Sequence, residues 1–193
     1  CFNANQVKLR GVTITKAASS GMYVENSNID ASNLDFSNVG VDYPGAAAMM
    51  VAFRGTAVMK ASTVKVSNSD FHDSPGGSGL MVLSQDARGD GTVTFDDVTA
   101  TNNGVYGVSM EVVGYTGNLT VNVKNSAFQL NKGSGFAFVM HDARPQPKTA
   151  VKFNVEDSDS FENGAYGFLF QVAKSNVKAT GTLTNTESYD NEG

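Results

Sequence analysis

Apolar and polar residues alternate in short runs along this chain, and the runs recur at a near-constant interval. Val121–Phe138 reads VNVKNSAFQLNKGSGFAF. Val64–Val82 (VKVSNSDFHDSPGGSGLMV), Val93–Met110 (VTFDDVTATNNGVYGVSM) and Val151–Phe170 (VKFNVEDSDSFENGAYGFLF) share its plan. Each opens on an apolar–polar–apolar triplet and crosses a polar turn. Each then reaches a Gly followed by a second alternating run. The aligned glycines are Gly79, Gly107, Gly135 and Gly167, in steps of 28, 28 and 32. The opening valines, Val64, Val93, Val121 and Val151, step by 29, 28 and 30. Self-similarity at this period predicts a solenoid.

Period-two alternation predicts strands with Val, Phe, Met or Leu on one face and Ser, Thr, Asn, Lys or Asp on the other. Pro75-Gly76-Gly77, Asn103-Gly104, Asn131-Lys132-Gly133 and Asn163-Gly164 mark the turns between them. No segment between 64 and 180 has a convincing amphipathic helical pattern. Three short strands per unit of about 30 residues describe a coil of a parallel β-helix. The expected fold is all-β, one solenoid domain of about six or seven coils over residues 1–193. Residues 1–63 are read as irregular opening coils, 64–180 as regular repeats and 181–193 as an incomplete last coil. Ala46–Phe53 (AAAMMVAF) is the most apolar segment. Periodicity alone allows a buried strand or a short helix there, and the neighbouring repeats favour strand. The phenylalanines at 95, 136, 138, 153, 168 and 170 fall on alternating positions and read as interior stacks. Met49, Met50, Met81, Met110 and Met140 read as core filler.

Asn103, Asn131 and Asn163 each lie four residues before an aligned glycine. Equivalent residues of a parallel solenoid stack about 4.8 Å apart. The three amides are therefore expected to form a structural ladder, each bonded to the coils above and below. The Asn-x-Gly-x-Gly-Phe run from Asn131 to Phe136 and the Phe-x-x-Asn run from Phe128 to Asn131 resemble the repeats of the right-handed parallel β-helix (pectin-lyase-like) superfamily. The likeness is to bacterial surface β-helices such as autotransporter passengers and polymorphic outer-membrane proteins. It covers residues 64–193 well and 1–63 loosely. It implies the fold and its right hand. It leaves function open, because this fold hosts lyases, hydrolases, adhesins and tailspikes alike.

Composition narrows the partners. Charged residues are 17% and the formal net charge is −5. That balance argues against nucleic acid and anionic membrane. No apolar run reaches transmembrane length. Polar positions filled by Ser, Thr, Asn and Gly suit secreted and surface β-proteins, so an extracellular or bacterial outer-surface location is expected. Cys1 is the single cysteine, so no intrachain disulfide forms. A chain that opens on Cys fits a mature bacterial lipoprotein acylated there, or an artificial or proteolytic boundary. The last coil stops just where the next Gly-apolar strand is due. Copies of the chain or flanking β-helix coils are the partners expected at such open ends.

Candidate chemistry is sparse. Asp96 and Asp97 are adjacent on an expected strand and should face opposite ways. His72 and His141 fall at different phases two coils apart, which argues against a shared role. No cofactor motif, phosphate loop or metal-binding pattern is present. One constellation stands out. Asp86-Ala87-Arg88 and Asp142-Ala143-Arg144 are the same tripeptide, 56 residues apart. Arg54, Arg88 and Arg144 each follow a glycine by nine residues, which predicts one arginine stripe. Such a stripe suits acidic glycans or a host surface receptor; the alternative is an Asp–Arg pair pinning each corner. Arg88-Gly89-Asp90 also spells an integrin-recognition tripeptide, and Asn118-Leu119-Thr120 is a glycosylation sequon. The leading functional expectation is a non-enzymatic surface scaffold, an adhesin or a subunit that stacks end to end. The alternative is a carbohydrate-active lyase or hydrolase, or its degenerate glycan-binding relative.

Overall fold

A computed structural model of the chain describes residues 5–40, 42–43, 45–55, 63–141, 149–173 and 177–193. Among them are eighteen strands and no helix. The strands are β1 (Val7–Arg10), β2 (Thr13–Thr15), β3 (Met22–Glu25), β4 (Ile29–Ser32), β5 (Asp35–Ser37) and β6 (Met49–Arg54). They continue as β7 (Val64–His72), β8 (Leu80–Gln85), β9 (Gly91–Thr101), β10 (Val108–Val113), β11 (Asn118–Lys124) and β12 (Ala127–Gln129). The last six are β13 (Phe136–His141), β14 (Thr149–Glu156), β15 (Asp159–Phe161), β16 (Phe168–Val172), β17 (Val177–Thr184) and β18 (Glu187–Tyr189).

These strands form three faces of a parallel solenoid. The first stacks β1, β4, β7, β9, β11, β14 and β17. The second stacks β3, β6, β8, β10, β13 and β16. The third runs through β2, β5, the ends of β7 and β9, then β12, β15 and β18. Down one column of the first face lie Val7, Ile29, Val64, Val93, Val121, Phe153 and Gly181. Val151 therefore stacks on Leu119, not on Val121. The fourth unit is displaced by two residues from the sequence alignment of valines. A two-residue shift keeps an apolar residue facing inward, so the hydrophobic pattern alone does not reveal it.

Inside, the alternating residues pack as expected. Phe95, Phe136 and Phe138 are fully buried, and Phe153 nearly so. Their rings meet edge-on or tilted: Phe138–Phe153 at 4.6 Å, Phe153–Phe170 at 4.7 Å and Phe95–Phe136 at 6.0 Å. Met49, Met110 and Met140 are buried, but Met50 and Met81 sit on the outward phase and are only half-buried. Ala46–Phe53 delivers strand β6, not a helix.

Three corners turn each coil, and all three use the left-handed backbone conformation. One column of corners is Gly11, Asn33, Asn68, Asp97, Asn125, Asp157 and Asn185. Asn and Asp tolerate this conformation because their short polar side chains bond locally. Asp97 thus occupies a bend within β9, and both Asp96 and Asp97 point outward rather than to opposite faces. A second column holds Lys16, Asn38, Asp73, Asn102, Leu130, Glu162 and Asp190. The third includes Asn26, Gly55, Asp86 and Gly114.

At a corner the backbone leaves the sheet, and side-chain oxygens replace the missing carbonyl acceptors. Asn103, Asn131 and Asn163 are each 1% exposed. Asn103 Nδ2 donates to Asn131 Oδ1 at 3.0 Å, Asn131 Nδ2 to Asn163 Oδ1 at 3.0 Å, and Asn163 Nδ2 to Asn191 Oδ1 at 2.9 Å. The same oxygens accept the backbone N–H of the preceding asparagine at 3.1 Å. Each ladder amide also donates back to a carbonyl one coil earlier, of Phe71, Ala100 and Phe128 respectively. The glycine four residues on makes room for this. A Cβ on Gly107 would lie 2.8 Å from Asn131 Nδ2 and 2.6 Å from Gly135 O. A serine column does similar work at the first corner. Ser69, Ser126 and Ser158 donate to their own i−2 carbonyls and accept N–H groups from Leu34, Val98 and Ser126.

Two stability predictions follow from these corners. Asn131→Ala leaves the Asn103 backbone N–H and one Asn103 amide hydrogen without their acceptor and removes a donor to the Ala100 carbonyl, and should lower unfolding free energy by about 3 kcal/mol in urea denaturation; a loss under about 1 kcal/mol would remove the ladder from the stability account. Leu130 is half-exposed and left-handed at φ 56°. Leu130→Asn should raise the melting temperature, by the equivalent of about 1 kcal/mol. A fall would show that Leu130 makes a compensating contact.

Candidate functional site

On the first face, polar side chains are bonded along the stack, so the corners are where exposed polar groups are left. Asn154 Nδ2 donates to Asn122 Oδ1 at 2.7 Å, Asn122 Nδ2 to Thr94 Oγ1 at 3.3 Å, and Thr182 Oγ1 to Asn154 Oδ1 at 3.2 Å. Lys124 Nζ meets Glu156 Oε2 at 2.9 Å, and Asn125 Nδ2 donates to Asp96 Oδ1.

The expected arginine stripe does not form as aligned. Arg54 is paired with Gln85, whereas Arg88 bridges Thr116 three residues further on. The reason lies upstream. Between Asn38 and Met49 the chain takes four more residues than between Asp73 and Leu80, so Ala48, not Gly45, stacks with Gly79. Asp142, Arg144 and Cys1 lie outside the described residues. Asp86 occupies the third corner at φ 56° and is exposed, as is Arg88; no ion pair joins the two. Beneath this turn Tyr115 is 2% exposed, and its hydroxyl donates to Gly89 O. Burial pushes that phenol up to about 12. Asp90 Oδ1 accepts from both the backbone N–H and Nδ2 of Asn118, at 3.0 and 2.9 Å. The acid of the Arg-Gly-Asp tripeptide and the sequon amide are thus spent on each other.

A second cluster joins residues that the sequence placed in separate units. The Asp35-Phe36-Ser37 strand stacks on Asp70-Phe71-His72. His72 Nδ1 lies 2.8 Å from Asp73 Oδ2, and Nε2 lies 3.3 Å from Asp35 Oδ1. Asp73 Oδ1 accepts from Asn102 Nδ2 at 2.6 Å, which ties in the next coil. Asp35 Oδ1 is buried and has no aligned hydrogen bond, so the imidazolium charge is its compensation. The hydrogen bond to Asp73 raises the His72 pKa against the opposing effect of burial, and Asp35 adds to it. The hydrogen bonds from His72 and Asn102 lower that of Asp73. Next to this cluster, Asn38, Asp73, Pro75, Asn102, Gly104 and Lys132 line a shallow hollow of about 310 Å³. Its amides, carboxylate and ammonium offer donors and acceptors suited to a hydroxyl-rich ligand. His141 ends β13 on another face, apart from His72. Among the described residues no group of three His, Cys, Asp or Glu is placed to hold a metal ion.

A parallel, three-faced β-solenoid with stacked corner ladders defines the class of β-helix proteins. The chain belongs to the right-handed β-helix family: residues 1–154 match the profile described as the right handed beta helix region. No curated protein and no solved structure matches beyond that signature.

The His72 cluster makes a pH-dependent clasp between coils. A folded pKa raised above 6.5 contributes stability that is present below 6.5 and lost as pH rises through the raised value. Asp73, lowered below 3.8, contributes above that value and loses it in acid. His72→Gln should therefore lower the melting temperature most near pH 5. The gap should close in alkali and in strong acid, and should correspond to no more than about 1 kcal/mol for so exposed a pair. A pH-independent gap would mean that His72 acts by packing alone.

Proposed function

We propose that this chain is a non-enzymatic extracellular or cell-surface β-helix scaffold, working as an adhesin or as a structural subunit of an extracellular assembly. The observation that carries this reading is the use of polar side chains. Those on the first face bond coil to coil, through Thr94–Asn122–Asn154–Thr182 and Lys124–Glu156, which stiffens a rod. Phe168, Phe170 and Val172 in the last described coil, and Leu9, Val12, Ile14 and Met22 in the first, are only partly buried. A flanking coil, of this chain or of another copy, is the cover that such an edge fits. Exposed Arg88, without an ion-pair partner among the described residues, is a contact for an acidic glycan or receptor.

The second reading is a carbohydrate-active enzyme or glycan binder, favoured by the His72–Asp73–Asp35 cluster beside its polar hollow. Incubation with a panel of acidic and neutral polysaccharides separates the two. The scaffold reading expects no new reducing ends and no ultraviolet-absorbing unsaturated ends. Product that scales with protein concentration and disappears in His72→Ala would establish the enzyme instead.

A further inference from the structure

The hollow at the second corner is built by the repeat and left unfilled by it. Asn38, Asp73 and Asn102 succeed one another there in the left-handed conformation, at φ 52°, 54° and 55°. Two residues further along the chain, Pro75, Gly104 and Lys132 form a second column, because Gly104 N–H donates to Ser74 O and Lys132 N–H to Asn103 O. Between the two columns Ser74 and Asn103 are buried. Gly104 makes the depression: a Cβ there would collide with the Pro75 carbonyl, so the position stays bare. The coils that supply the lining have described neighbours on both sides. Polar atoms of the lining are not spent. The Asn38 side chain and the Lys132 ammonium make no hydrogen bond or ion pair among the described residues, and the Asn102 side chain uses only its Nδ2. Asp73 gives Oδ2 to His72 and Oδ1 to Asn102, which leaves a lone-pair site on each oxygen.

We propose that this hollow binds one uncharged hexose residue of a glycan, through adjacent hydroxyls of its ring. The inference deepens the glycan-binding form of the second reading and rests on it. A hydroxyl both donates and accepts. Ring hydroxyls therefore serve the Asp73 carboxylate and Asn102 Oδ1 as donors, and the Lys132 ammonium and Asn38 Nδ2 as acceptors. A sulfate or a carboxylate only accepts, and would leave the oxygens of Asp73 and Asn102 unmatched. The surrounding charge favours a neutral ligand too. Lys16 precedes Asn38 in its corner column, and Asp70 stacks beside Asp35. Lys16 and Lys132 thus stand against Asp35, Asp70 and Asp73, with His72 held between Asp35 and Asp73. No surplus of positive charge is left to draw an anion. His72 and Asn102 grip the Asp73 carboxylate from two sides, which orients the acceptor before a ligand arrives. The exposed Pro75 ring offers an apolar flank to the C–H face of the sugar. A shallow space of about 310 Å³ suits a single ring whose neighbours in the glycan stay in solvent.

The test is a titration of the isotope-labelled chain, followed by two-dimensional NMR, with methyl glycosides of glucose, galactose and mannose and with the corresponding uronates. At least one neutral glycoside should shift the Asn38 and Asn102 side-chain amides and the Gly104 N–H, with a dissociation constant on the order of 1 mM. Its uronate should bind about threefold more weakly or worse. Asp73→Asn keeps a residue that tolerates the left-handed corner, and Lys132→Ala changes an exposed side chain. Each should weaken binding about tenfold. Lys152→Ala, exposed on β14, should leave binding unchanged. Resonances away from the substituted residue that keep their positions confirm that each variant folds. No shift at the hollow with any neutral glycoside at about 100 mM overturns the proposal. So does a uronate that binds there more tightly than its parent sugar, or binding indifferent to Asp73. Polysaccharide cleavage is read separately by its products. Product without shifts at the hollow overturns the proposal and keeps the enzyme, whereas shifts without product uphold the proposal and remove the enzyme.

Discussion

Backbone hydrogen bonding at the corners is the constraint on which this molecule depends. Within a strand, each coil supplies the donors and acceptors its neighbours need. At a turn the chain leaves that ladder, yet the inner side of the turn is still dry. An unpaired N–H there costs as much as a lost buried hydrogen bond. Asn103, Asn131 and Asn163 meet the need with one oxygen each, which accepts a backbone N–H and a side-chain N–H from the coil before. Ser69, Ser126 and Ser158 meet it at the first corner. The phenylalanine core supplies most of the apolar burial, but the ladders decide which residue stacks on which.

The same constraint explains why so much of the fold was legible. An asparagine that must sit above another asparagine repeats at the coil length, and the glycine that clears space for it repeats beside it. The 28-residue interval between Asn103 and Asn131 is therefore a direct trace of the structure. Serine gives no such trace: it is common in this chain, so Ser126 and Ser158 do not stand out among their neighbours. Val151 misled for a related reason. The extra residues of its coil fall between His141 and Ala150, and alternation tolerates an even shift. Arg54 misled because Gly45 is not a ladder glycine at all; its N–H bonds to Gly76 O. A glycine is a reliable phase marker only where an asparagine of the next coil presses against it.

The His72 cluster was not legible because its members come from coils of unequal length. Asp35 and His72 meet only after β5 is laid on the end of β7, a step of 35 residues against 28 or 29 in the regular coils. The signal was present in the paired Asp-Phe dipeptides at 35–36 and 70–71, which mark one strand position twice. Reading it required giving up the constant period, and the period was what identified the fold.

Regularity and chemistry are thus divided by position. On the first face, polar side chains such as Thr94, Asn122, Asn154 and Thr182 stack about 4.8 Å apart and bond to each other. A site built there would have to break the stack that holds the rod together. Corners are different. Their length varies from coil to coil without disturbing the strands. Exposed Arg88, and Lys132 beside the hollow, thus stand at corners, outside the side-chain bonding that runs along the first face.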